Sequence, residues 1–190
     1  MAARDIMPWV SPMGGTCSVR WGSMTASEVF EIGEPIAVVD AGTLTEPPDD
    51  ATQFIVTDAD SGLEIGIAAA GPGASNIDPV TGAAYATGAR IPYWPLSPET
   101  LWITKKFHAA GGTTTAVPAQ TDVGENYQIT YNTTAGSNLG WGVEQTAGVT
   151  GVDVVARVVE VLDVDKNPIR ISSGTGVYVV FTISATLAAA

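Results

Sequence analysis

The chain has 190 residues, 45% of them apolar, and its 20 acidic side chains outnumber 8 basic ones to give a net charge of -12. That length and apolar content suit one folded domain with a sizeable core. Nucleic-acid and anionic-membrane binding are excluded, because both draw on Lys and Arg and here only Lys105 and Lys106 stand together.

Cys17 is the only cysteine, so no intrachain disulfide is expected. The opening "MAARDIMPWVSPMGG" carries Asp5 and two prolines and lacks an apolar run of signal-peptide length. No window approaches the roughly 18 apolar residues of a spanning helix. Residues 1–16 read as an extended N-terminal arm. Met7, Pro8, Trp9, Val10 and Met13 mix rigid and apolar residues without a period, and Gly14 and Gly15 form a flexible junction. Such a segment builds no core of its own and offers anchors to a neighbouring subunit, or else Trp9 folds back onto its own domain.

From residue 17 to 185 the pattern is that of a single all-β domain, an antiparallel β-barrel or β-sandwich. Glycines and prolines punctuate short Val, Ile, Thr and aromatic runs. "TCSVRW" (16–21) alternates, and "PIAVVD" (35–40) is a buried-type strand before a turn at Ala41 and Gly42. Residues 52–70 read as two strands joined at Asp58 to Gly62, and 71–88 as an excursion loop with little to bury. The two prolines of "ARIPYWPL" (89–96) exclude helix and suit an edge strand. Residues 97–112 carry helix boundary signals in Ser97, Pro98 and Gly111. Leu101, Ile103 and Phe107 nevertheless alternate around Trp102 and Lys105, which predicts strand. The span 152–184 predicts two long strands around a shorter one, with turns at Asp165–Pro168 and Ser172–Gly176 and valines packed on both sides. Residues 186–190 are a flexible tail.

Candidate chemistry is sparse. Asp122 and Glu125, followed by Tyr127 and Tyr131, have the residue types of a sugar-cleaving acid and base. They are better read as a polar turn, held in water with Gly124, that launches a strand with Tyr127, Ile129 and Tyr131 on one face. Cys17 and His108 are the only thiol and imidazole, and a free cysteine in an alternating strand is most often buried filler. "DVDKNP" (163–168) opens like a calcium loop, but Pro168 stands where the loop needs Gly and Gly174 where it needs Glu. "DADSG" (58–62) shares that opening and also lacks the closing Glu. "NTT" (132–134) fits the glycosylation pattern without a secretory context. No cofactor or metal is expected. The tryptophans at 9, 21, 94, 102 and 141 are core fillers or interface anchors, or on an open face a sugar-stacking platform.

Several segments follow one another in a telling order: "EPIAVVDAGTLTEPPDDATQF" (34–54), "LWITKKF" (101–107), "DVGENYQI" (122–129), the Trp141 strand "LGWGVEQT" (139–146), and the closing pair "VVARVVEVLDVDKNPI" (154–169) and "GVYVVFTIS" (176–184). Together they resemble the head decoration, or cement, proteins of tailed bacteriophages. The resemblance implies a non-enzymatic virion protein, made in the host cytoplasm, that binds the outer surface of the capsid as a homotrimer and bridges major capsid protein subunits. Met7, Pro8, Trp9, Val10 and Met13 are then the expected capsid or oligomer contacts. The competing expectation is a carbohydrate-binding or adhesin-like β domain with Tyr93, Trp94 and Trp141 as its platform. Another virion module such as a tail component stays open beside it, and an enzyme built on Asp122 and Glu125 comes third.

Overall fold

The computed structural model describes residues 6–9, 18–24, 32–39, 42–45, 64–70, 88–96, 100–110, 114–132, 140–145, 154–170 and 174–185. They form β-strands β1 (Ile6–Pro8), β2 (Arg20–Met24), β3 (Pro35–Val39), β4 (Thr43–Thr45), β5 (Glu64–Ala68), β6 (Arg90–Pro95), β7 (Leu101–Thr104), β8 (Phe107–His108), β9 (Asn126–Asn132), β10 (Gly140–Glu144), β11 (Val154–Leu162) and β12 (Tyr178–Ala185), with one 3-10 turn at Gln120–Asp122. The fold is all-β, in two mixed sheets. Each sheet contains one parallel contact, β2 with β4 and β8 with β10, among otherwise antiparallel pairs.

The smaller sheet is a five-stranded ring in the order β2-β4-β3-β5-β6, with β6 pairing back onto β2. Gly42, at φ +78, makes the tight reversal between β3 and β4 that its missing Cβ allows. Met24, Ile36, Val38, Leu44, Ala68, Ile91 and Tyr93 fill the interior. The strand β6 is not the edge its prolines suggest. Its first half, Arg90–Tyr93, pairs with β2 and its second, Tyr93–Pro95, with β5. In the ladder Pro92 lies opposite Trp21 of β2 and Pro95 opposite Gly66 of β5, and the Pro92 carbonyl accepts from Ala69 N–H at 3.0 Å.

The larger sheet runs β1-β7-β12-β11-β9-β10-β8. Thr104, ending β7, and Phe107, opening β8, are three residues apart and span at most about 11 Å. In a flat sheet β7 and β8 would stand about 24 Å apart, five strand spacings. The sheet therefore curls until its far edge returns to β7, and the chain at Lys105–Lys106 spans the gap. The concave face holds Trp102, Phe107, Tyr127, Ile129, Trp141, Val143, Phe181 and their neighbours. Ile67 belongs to this core, and Trp94 and Leu96 pack on it, so the outer face of β5 and β6 joins the barrel to the larger sheet.

The valine-rich closing strands show how one sequence serves two faces. In β12, Val179, Phe181 and Ile183 face the main core while Val180 joins a second cluster with Ile103 and Leu162. In β11 the pairing slips between Val158 and Glu160. This bulge leaves Val159 exposed and turns Val161, rather than Glu160, into the core. Where a shorter strand is expected between these two, the described residues show a bridge of Leu162 with Pro168, and residues 171–173 lie outside those described. Residues 101–104 and 107–108 are strand, as the period-two pattern predicts. Phe107, however, faces the main core while Leu101 and Ile103 face the second cluster, because β7 and β8 belong to opposite ends of the curl.

Of the N-terminal arm, residues 6–9 are described, and they take the second course expected of it, folding back onto the chain's own domain. Ile6–Pro8 is an edge strand of the larger sheet, antiparallel to β7 in the register Ile6–Thr104 and Pro8–Trp102. Ile6 is completely buried in the main core, and its N–H also donates to Gly33 O at 3.3 Å. An arm without periodicity gains order here because β7 supplies an open edge. Pro8 then blunts the new edge. Among the described residues of 17–185, expected to be one β domain, the barrel core and the main core of the larger sheet are separate clusters, and Ile103, Leu162 and Val180 form a smaller third one.

Candidate functional site

Asp122 is the first residue to test for chemistry. It closes the 3-10 turn and is 3% exposed, so it is not the solvated turn carboxylate expected from the sequence. Its carboxylate accepts from Ala119 N–H at 2.7 Å, from the Tyr127 hydroxyl at 2.7 Å and from Gln145 Nε2 at 2.9 Å. Three donors fixed from three parts of the chain satisfy most of its lone-pair sites. Glu125 is exposed, and around it the turn is pinned to the β11 bulge. Gly124 N–H donates to Val158 O at 2.8 Å, and Val158 N–H donates to Glu125 O at 3.0 Å. The two carboxylates do not face each other across a cleft: one is a buried architectural acceptor and the other is on the surface. Tyr127 carries the electrostatic consequence. Burial first, then the hydrogen bond and charge of Asp122, push its phenol above the ordinary tyrosine range.

The other candidates are also held by structural contacts. His108 is fully buried, with Nδ1 3.2 Å from Thr130 Oγ1, on the face of β8 opposite Phe107. Beside it, Gly142 of β10 is so close to Lys106 O that a Cβ would collide with it. Cys17 lies outside the described residues, as do Asp58 to Gly62. The calcium-like opening at Asp163 is a turn. Asp163 Oδ1 accepts from Asp165 N–H at 2.9 Å and Asn167 N–H at 2.8 Å. The Asn167 backbone bond is the main reason its carboxyl sits below the usual range. Among the described residues no three His, Cys, Asp or Glu side chains gather to hold a metal, and no helix is long and apolar enough to cross a membrane.

The aromatic residues divide by location. Tyr93 lies inside the barrel, Trp141 lies in the main core with its ring edge-on to Tyr131, and Trp94 packs on that core. They do not form an open platform. Trp102 is wholly buried. Met7 and Trp9 pack on the cluster of Ile103, Leu162 and Val180, and Trp9 N–H donates to Leu101 O at 2.7 Å. Lys166, in left-handed backbone at φ 64, places its ammonium 5.6 Å from the Trp9 ring and 5.8 Å from that of Tyr178. Of the expected arm contacts, Met7, Pro8 and Trp9 thus lie half-buried on the chain's own sheet. Val10 and Met13 fall outside the described residues.

One aromatic residue stands apart. Trp21 on β2 is 55% exposed, and Val19, two residues earlier on the same face, is 49% exposed. The sequence offers a weak sign of this: "SVRWGSM" alternates, and Gly22 and Met24 claim the barrel interior, leaving Val19 and Trp21 outside. Comparison with protein-family models, curated proteins and solved structures gives no significant match.

Proposed function

We propose that this chain is a structural accessory protein of a phage head, a decoration protein that sits on the outer surface of the capsid and braces neighbouring major capsid subunits. One observation carries the reading. The segments with the family resemblance, apart from that at 34–54, supply β7 to β12, which adjoin one another in the order β7-β12-β11-β9-β10-β8. A resemblance drawn from separate stretches of sequence thus converges on one curled sheet. The acidic surface favours a protein turned toward solvent over one turned toward packaged DNA. The buried positions of Tyr93 and Trp141 leave the sugar-binding alternative without its platform, and Asp122 is committed to holding the turn.

Bracing needs no catalysis. An oligomer that touches several subunits turns later contacts into intramolecular events, so weak individual sites sum to tight binding. The test is reconstitution: full-length protein is mixed with heads assembled from the major capsid protein of the phage that carries it. Co-sedimentation at saturating, symmetric occupancy and a higher melting temperature of the heads are expected. Protein left in the supernatant, with heads melting unchanged, overturns the reading.

A further inference from the structure

The outer face of β4-β2-β6 carries no acidic side chain among the described residues of those strands. The described stretches 18–24, 42–45 and 88–96 contain Arg20 and Arg90 and not one Asp or Glu, in a protein of net charge -12. On this face Trp21 lies opposite Pro92 and Ser23 opposite Arg90. Val19 extends the apolar strip. The other large apolar residues exposed among those described, Val117, Val159 and Val164, occur singly on separate elements, as is ordinary for a protein surface. Two lysines elsewhere, Lys105 and Lys166, lie over the rings of Tyr178 and Trp9. Arg90, by contrast, is exposed on the strand beside that of Trp21.

We infer that this face, centred on Trp21 with Arg90 at its side, is the surface that docks on the shell, against a capsid subunit presenting carboxylates around an apolar centre. The inference rests on the accessory-protein reading for the identity of the partner. Charge decides the chemistry of that partner. A neutral-to-basic patch on a strongly acidic body lets an acidic surface approach without repulsion. Tryptophan and arginine are also the side chains that most often dominate binding energy once water is excluded around them. The arm, spent on the chain's own sheet, leaves this role to β2.

Full-length wild type, Trp21→Ala and Arg90→Glu are titrated onto the assembled heads by co-sedimentation. Trp21→Ala is expected to bind at least about 30-fold more weakly, the effect of losing a central anchor. Arg90→Glu is expected to weaken binding most at low salt, with the gap from wild type narrowing as salt rises from roughly 0.05 to 0.3 M. Both side chains are exposed, so both variants should keep the wild-type melting temperature, which separates docking from folding. If wild type fails to bind, the accessory-protein reading falls and the docking face with it. If wild type binds and both variants bind equally well, only the docking face is wrong. Variants that alter the oligomer by light scattering, with protomers bound per head unchanged, would make this face a contact between copies and also overturn the inference.

Discussion

Asp122 and Glu125 stand three residues apart and have opposite fates. Removing the Asp122 carboxylate leaves the Ala119 N–H, the Tyr127 hydroxyl and the Gln145 amide without their acceptor. Asp122→Ala is expected to cost about 3 kcal/mol or more, and Glu125→Ala less than about 0.5 kcal/mol, by urea unfolding. Equal costs would disprove the architectural role. Tyr127 adds a pH dependence with a definite sign. Its folded pKa is raised by burial and by Asp122, above an unfolded value of about 10. Its contribution to stability is therefore complete below that value and drains away as pH climbs beyond it. Tyr127→Phe should lose less stability than wild type between about pH 9 and pH 11; parallel losses would remove Tyr127 as the cause.

At the scale of elements, the alternation of side chains is enough to mark most strands. "PIAVV", "LWIT", "NYQITYN" and "YVVFTIS" are strands because β-branched and aromatic residues recur at period two or fill both faces. Alternation does not reveal which edge an isolated tripeptide joins, and so β1 was legible only as an apolar arm. Ile6 lies in the main core, and Ile6→Ala is expected to destabilise the protein by about 2–5 kcal/mol. A thermal melt identical to wild type would return this segment to the role of a free arm. The bulge in β11 is a similar case. "VVARVVEVL" holds enough valine for either face, and the clamp from Gly124 and Glu125 fixes where the parity changes. Of the candidate site, the apolar character of Met7, Pro8 and Trp9 was readable, but their partner was not. For the exposed Trp21 the sequence held only the weak sign of alternation in "SVRWGSM".

For the whole molecule, the charge of -12 acts against compactness, because like charges crowd together on folding. Raising sodium chloride from roughly 10 mM to 0.3 M shortens the screening length from about 30 Å to below 10 Å. Relief of about 1 kcal/mol should raise Tm by about 2–4 °C for a chain of this size. A Tm that falls with salt would mean that attractive ion pairs outweigh the self-repulsion. The same acidity gives the basic, apolar face of β4-β2-β6 its contrast with the remainder of the surface. Composition, period and turn chemistry determined by themselves that this chain is all-β and acidic, because those properties depend on residue type and nearest neighbours. The curl that brings β8 back toward β7, the capture of Ile6 by an open edge, the burial of Asp122 and the exposure of Trp21 were decided only in three dimensions. Each depends on which residue, distant in sequence, comes to occupy the other side of a contact, and local propensity carries no record of that choice.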